Sequence, residues 1–288
     1  RGPNPDGGLK GRIGLYAGCS RRGSYMPLAK LGRVVPNEVQ LLHPVPNEEK
    51  VDNKRIELYD DGIGAVEYVQ HMGGDLTIVN AARVSFGKHK TEMDKRDKKL
   101  IKYLAKHKHT STFEHNVITF RFIVPLYVRS QHHRHRTWSY NEISRRYTDI
   151  NMQFYEPGIL RKQSEDNRQA SEGAIGNPWV RWPEDKKFIP TDTALIKHHR
   201  QCLELYEGLI EIGVCREQAR GVLPQSMYTQ YYGTVNLNNL LKFIALRIHE
   251  GAQWEIQQVA RACLTIAEEI WPTAVGSYTG KTLKEKIQ

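Results

Sequence analysis

Between Arg129 and Tyr147 the chain carries five arginines and three histidines against a single carboxylate, Glu142. Desolvating so many like charges without partners costs several kcal/mol per ion. A fold built around this segment must leave it on open surface or turn it toward anions. Asn141, Glu142 and Ser144 interrupt the cations with neutral and acceptor groups. That mixture points to shaped recognition over a plain charged face.

The formal net charge is +10 over 288 residues. Such a balance steers polyanions toward a protein, and nucleic acid is one reading of it. Phosphorylated small molecules explain it equally if the arginines converge on one pocket. The 39% hydrophobic content suffices for a core in one large domain or two small ones. No apolar run approaches 18 residues, so no membrane span is expected, and no signal peptide is visible. Cys19, Cys202, Cys215 and Cys263 form no Cys-x-x-Cys pair, so no structural metal site is expected. Cys202 and Cys263 fall on apolar helical stripes, where a thiol is usually a small core residue. A reducing, cytoplasmic setting fits.

Residues 1–54, rich in Gly, Pro and basic residues, read as an extension with short elements at best. The main domain is expected over 55–281, with a tail at 282–288. Arg55–Tyr59 and Gly64–Gln70 read as short strands and Leu76–Val84 as a helix. Thr91–His107 reads as a charged helix with Leu100, Ile101 and Leu104 inward. Asn116–Val124 is rich in β-branched and aromatic residues and reads as a strand. Pro125 ends it and opens a helix, at whose C-terminal end the arginine cluster begins. Residues 155–190 read as one long loop. Thr191–Ile212 reads as an amphipathic helix with Leu195, His198, Cys202, Leu205 and Leu209 on one face, and Arg216–Val222 as a short helix. Asn236 reads as the cap of a helix carrying Leu240, Leu241, Ile244 and Ile248. Ala252–Trp271 is another, with Ile256, Val259, Cys263, Ala267 and Ile270 inward. Early strands and late helices suggest an α+β class with a mixed or antiparallel sheet.

Five separated blocks share one resemblance. Arg134-His135-Arg136 is followed by seven residues and then Ser144. Asn80 to Phe86 reads Asn-Ala-Ala-Arg-Val-Ser-Phe, and His107 to His115 is His-rich before Phe-Glu-His. A spaced Arg161, Gln163, Asn167, Gln169 and Ser171 follows Ser144, and Arg220 to Pro224 and Ala252 to Ile256 complete the set. In this order the blocks resemble those of the flavin-dependent thymidylate synthases, from Arg55 to about Lys281. The resemblance implies a homotetramer with shared active sites. It implies FAD as cofactor, NADPH as reductant and 5,10-methylenetetrahydrofolate as one-carbon donor, with dUMP as substrate.

By the same resemblance Ser85, His109, Ser111, Glu114, Arg134, His135, Arg136, Glu142, Asn236 and Lys242 face the flavin. Gln131, Arg134, Glu142, Ser144, Arg145, Arg146, Arg220 and Arg247 face the nucleotide. Guanidinium forks suit phosphate oxygens. Arg247 matches the family's activating arginine, and His109 positions or gates the flavin ring. A cation at the uracil carbonyl edge stabilises the enolate-like form that makes C5 nucleophilic. Ser144 in the family is no covalent nucleophile, and an isolated serine more often caps a turn. Adjacent His132, His133 and His135 point different ways on a helix and make a poor ligand set, so no metal is expected. Lys242, His249 and Gly251 depart from residues frequent in the family. One rival is hydroxymethyl transfer to a deoxypyrimidine nucleotide on the same scaffold. Another, of a different class, is nucleic-acid binding, which the resemblance makes unnecessary because every implied substrate is anionic.

Overall fold

A computed structural model describes residues 51–282 apart from 53, 150 and 151. The expected extension, but for Val51, Asp52 and Lys54, lies outside the described residues, as does the tail beyond Thr282.

Two nine-residue strands form the centre, β3 (Val117–Pro125) and β9 (Tyr228–Asn236). They pair antiparallel along their whole length, with Val117 opposite Asn236 and Pro125 opposite Tyr228. β1 (Arg55–Glu57) and β2 (Ala65–Met72) extend the sheet beyond β3, and β4 (Ser139–Glu142) extends it beyond β9. Alternation divides β3 between two environments. Ile118, Phe120, Phe122 and Val124 are fully buried on one face. On the other, Arg121 donates to Glu67 at 3.0 Å and to Gln230 at 2.6 Å, tying β2, β3 and β9 together.

The apolar face is covered by α6 (Leu237–Arg247) and α7 (Trp254–Ile270). The expected stripes of both helices are buried: Leu240, Leu241, Ile244 and Ile248, then Ile256, Val259, Cys263, Ala267 and Ile270. Asn236 caps α6 by accepting from the Asn239 amide at 2.9 Å. Unforeseen is α8 (Pro272–Thr282), which starts at a proline directly after Trp271. Its first amides donate across the molecule to Asp75, from Thr273 at 2.7 Å and Ala274 at 3.0 Å. The capping residue belongs to α1 (Asp75–Arg83), so local sequence could not mark that start.

α2 (Lys95–Lys106) begins later than the expected Thr91, because Asp94 accepts from the Arg96 and Asp97 amides and fixes the boundary. α3 (Leu126–His132) follows Pro125 as expected but ends before Arg134, and strand β4 lies between Arg136 and Arg145. Residues 155–190 are not a single loop. They hold two hairpins, β5 (Leu160–Gln163) with β6 (Ser171–Gly176) and β7 (Trp179–Arg181) with β8 (Phe188–Pro190). Most of their side chains stay exposed, so no burial alternation betrayed them.

α4 (Thr191–Glu211) buries a different face from the one expected. Ala194, His199 and Tyr206 are buried, while His198 and Leu205 are exposed. The reason is a polar anchor. His199 Nε2 lies 2.8 Å from Ser226 Oγ, its Nδ1 lies 3.3 Å from Glu156, and Phe154 stacks on the ring. Leu195, Cys202 and Leu209 of the expected stripe stay half-buried, so the buried face is shifted toward His199 and Tyr206. α5 (Arg216–Ala219) and a 3-10 turn at Arg220–Val222 make up the expected short helix.

β9 depends on Gly233, where a Cβ would come within 2.8 Å of Phe122 and 3.2 Å of Trp138. Both rings are buried. Gly233→Ala is expected to destabilise the fold by about 1–3 kcal/mol, the usual cost of overpacking. Urea denaturation monitored by circular dichroism measures it, and an unchanged midpoint would show that the aromatic cluster yields freely.

Candidate functional site

The β3–β9 register decides which candidate residues meet. β3 leads into α3 at its Pro125 end, while β9 leads into α6 at the opposite end of the ladder. α6 must therefore run back along the sheet, and its last turn arrives beside the end of α3. There Arg247 Nε donates to His135 Nε2 at 3.0 Å, and Arg247 Nη2 donates to the Gln131 main-chain oxygen at 3.3 Å. An imidazole nitrogen that accepts must be unprotonated, so His135 is neutral with its proton on Nδ1. Burial and the adjacent Arg247 charge push its pKa down to about 4. Burial also lowers the Arg247 pKa, yet a guanidinium stays protonated in proteins.

Gln131 continues the network. Its Nε2 donates to Gln253 Oε1, and Gln253 Nε2 donates to Glu255 Oε2 at 2.8 Å. Glu255 is buried and takes Arg161 Nη2 at 2.5 Å and the Tyr155 hydroxyl at 3.3 Å. Arg161 lies on β5 and stacks on Trp254 at 5.0 Å. The spaced Arg/Gln/Asn/Gln/Ser set thereby gains a local explanation. Arg161 also donates to Ser171, Gln163 closes the turn on Asn167 and Ala170 carbonyls, and the Gln169 amide donates to Asn167 Oδ1.

A second group gathers at the other end of α6. A 3-10 turn at Thr110–Phe113 precedes β3 and packs against α1 and α6. His109 and Ser111 are exposed on it, and Glu114 accepts from Asn238 Nδ2 at 2.7 Å. Asn236 sits here as the α6 cap, and Ser85 stands exposed on the turn after α1. The rings of His107 and His109 flank Tyr103 at 4.3 Å and 6.1 Å. An eleven-residue helix spans about 16 Å, so a single copy does not bring His109, Ser111, Glu114 and Asn236 to Arg247. Lys242 is exposed midway along α6. His249 Nδ1 accepts from the Gly251 amide at 3.0 Å in the turn after α6.

The arginine segment resolves into three environments. Arg134 and Arg136 are exposed, and among the described residues no acid pairs with either. Arg129 lies 3.1 Å from Glu142, which also accepts from Thr229 at 2.6 Å. Arg145 is buried, and desolvation lowers its pKa against the opposing pull of Tyr206 and Asp149. Ser144 accepts from the Arg146 amide at 3.3 Å, and Arg146 pairs with Glu217 on α5 at 3.1 Å. Arg220 is exposed on its 3-10 turn. His132 is fully buried among Phe122, Trp138 and Phe243 and bonds the Tyr231 hydroxyl at 2.8 Å. His133 lies on Tyr140 at 4.1 Å, so the three histidines diverge. Among the described residues no cluster of His, Cys, Asp or Glu could hold a metal, and no helix is long and apolar enough to cross a membrane.

Two cavities, of about 480 Å³ and about 370 Å³, lie against α4 and the hairpins. Neither is lined by Arg134, Arg145, Arg220 or Arg247, so geometry separates them from the charged site. Sequence reasoning gave no role to Glu255, Gln253, Arg129 or Thr229. Glu255 left a readable signal, because an acid beside the buried stripe of α7 must find a cation.

Known proteins share the sequence and the fold over most of this chain. The family model described as thymidylate synthase complementing protein matches residues 67–273. A flavin-dependent thymidylate synthase from Thermus thermophilus is 43% identical over 215 residues, 75% of each chain. One from Thermosipho melanesiensis is 40% identical over 227 residues, covering 77% of this chain and 95% of that protein. The crystal structure of a UMP/dUMP methylase, PolB, from Streptomyces cacaoi bound with 5-Br dUMP superposes with a TM-score of 0.66 at 30% identity, over 78% of this chain and 97% of that one. A family model matched over residues 67–273, with relatives 40% and 43% identical over three quarters of the chain, leaves one assignment: the chain belongs to the flavin-dependent thymidylate synthase family.

Proposed function

We propose that the protein methylates dUMP at C5 to give dTMP, with 5,10-methylenetetrahydrofolate as one-carbon donor, FAD as the redox cofactor and NADPH as reductant. The observation that carries this reading is the fixed Arg247. Its Nε is taken by His135 and one Nη2 hydrogen by the Gln131 carbonyl, which leaves the Nη1 edge of the fork for a ligand. A cation held there, at the uracil carbonyl edge, stabilises negative charge on that edge and so raises electron density at C5. His135 contributes by staying neutral, since a protonated ring could not accept from Arg247.

The residues present fit a flavin dinucleotide. Arg134 and Arg136 are exposed with no acid pairing them among the described residues, the donor set a pyrophosphate needs. The ladder of His107, Tyr103 and His109 offers an aromatic shelf beside Ser111, Glu114, Asn236 and Ser85, and exposed Lys242 adds a cation between the two groups. When bound, the reduced flavin supplies the hydride that completes the methyl group. Arg145, Arg146, Arg220 and Ser144 then serve the nucleotide phosphate, with Gln131 and Glu142 ordering its sugar and base. No thiol is needed as nucleophile. Cys263 is buried with its pKa pushed up, Cys202 is raised by desolvation, and Cys215 is exposed on the opening of a four-residue helix.

The two residue groups lie at opposite ends of α6, so we infer that each site is completed by another copy in a homotetramer. The exposed Val84 and Phe86 beside Ser85 give such an interface apolar area. Light scattering should return four times the chain mass; a monomer with full activity would refute shared sites.

The purified protein should be yellow, bleach with NADPH and release tritium from 5-tritiated dUMP. Its nucleotide product should gain the mass of a methyl group. A hydroxymethyl product would replace the proposal by its rival. Arg247→Ala should retain flavin yet lose at least about a hundredfold in turnover, as for removal of one stabilising donor, whereas Cys215→Ala should stay near the unmodified rate. A thousandfold loss in Cys215→Ala would overturn the thiol-free scheme.

A further inference from the structure

We propose that Gln253 and Glu255 are positioning residues for Gln131 and Arg247, acting through an amide relay whose polarity the buried carboxylate fixes. The inference rests on the reading that Gln131 and Arg247 hold the uracil nucleotide.

An amide side chain can turn over with almost no steric consequence, so its neighbours decide which end is oxygen and which is nitrogen. Gln253 and Gln131 face each other, and nothing in that pair alone selects a direction. Glu255 does. An ionised carboxylate only accepts, and its Oε2 faces Gln253 at 2.8 Å. Gln253 must therefore present its NH₂ group to Glu255 and its oxygen to Gln131. Gln131 must answer with its own NH₂ group, which turns its amide oxygen away from the relay. The main-chain oxygen of this same Gln131 accepts from Arg247. One buried charge thus orders the side chain of the residue whose backbone carbonyl, at the end of α3, holds Arg247.

Glu255 is itself held from several sides. Arg161 and Tyr155 occupy its other oxygen, and the Tyr59 hydroxyl donates to its main-chain carbonyl at 3.2 Å. Its side chain is 3% exposed, so solvent offers no substitute partner. With both carboxylate oxygens occupied, the donors that meet Glu255 have one low-energy arrangement. Arg161 arrives from the β5–β6 hairpin, so the docking of that hairpin and the polarity of Gln131 share one anion.

A structural role alone would be confined to the Glu255–Arg161 pair, which clamps the hairpin to α7. Gln253→Met separates the two roles, because it cuts the relay and leaves that pair in place. Bound flavin should match the unmodified enzyme, and the thermal midpoint should fall by only a few degrees, since Glu255 Oε2 loses its donor while Arg161 and Tyr155 stay on the other oxygen. KM for dUMP should rise about tenfold, the equivalent of one lost hydrogen bond, with kcat changed less than threefold. Gln131→Met should raise KM similarly, and the double variant should be no worse than Gln131→Met alone, since both cut one path. Unchanged KM in Gln253→Met would overturn the proposal, as would additive effects in the double variant. Joint loss of flavin and thermal stability in Gln253→Met would also overturn it, by marking the residue as structural. If the unmodified enzyme releases no tritium from dUMP, the functional reading fails instead, and the two failures are told apart by that control.

Discussion

The nine-residue ladder between β3 and β9 is the constraint on which the site depends. Antiparallel pairing places the exits of the two strands at opposite ends of the sheet. α3 therefore leaves from one end, and α6 must start at the other and return. That return sets Arg247 against His135 and the end of α3. The same register puts Asn236 opposite Val117, and so beside the turn that carries Ser111 and Glu114. A shift of one residue would reverse the faces of β9, exposing Tyr231 and Val235 and driving Tyr232 into Phe122.

The cationic segment is stable in this frame because its charges are treated unequally. Arg129 has Glu142, Arg146 has Glu217, and Arg145 is buried near Tyr206. His132, fully buried, and His135, half-buried, are neutral rings, with desolvation the largest cause of their lowered pKa values. Arg134 and Arg136 are exposed, and among the described residues no acid pairs with either. The cost of concentrating charge is thus avoided by neutral imidazoles and scattered acids, and the unpaired guanidiniums remain where an anion can reach them.

Buried acids do the fastening elsewhere. Asp97 is fully buried and binds Arg83 at 2.6 Å as well as Lys90, which holds the loop after Ser85. Asp75 caps α8 from another helix. Glu255 joins the hairpin, α7 and the end of α3. Removing one partner from a buried ion pair costs about 3–5 kcal/mol, because it leaves an uncompensated charge.

The linear chain determined whatever depends on neighbours within a few residues. The stripes of α6 and α7, the Asn236 cap, the strand before Pro125 and the family blocks were all legible, because helical spacing and ordered motifs are local properties. β9 was not legible, since tyrosines point to both of its faces and blur the alternation. The hairpins at 160–190 bury too little to leave a pattern. The α4 face went to His199 because a polar anchor outweighed a leucine stripe. Only tertiary structure decided that Arg247 meets His135, that Glu255 faces Gln131 through Gln253, and that the group around Ser111, Glu114 and Asn236 stands about 16 Å along α6 from Arg247. Those outcomes follow from strand register and from where buried charges find partners, and both join residues a hundred or more positions apart.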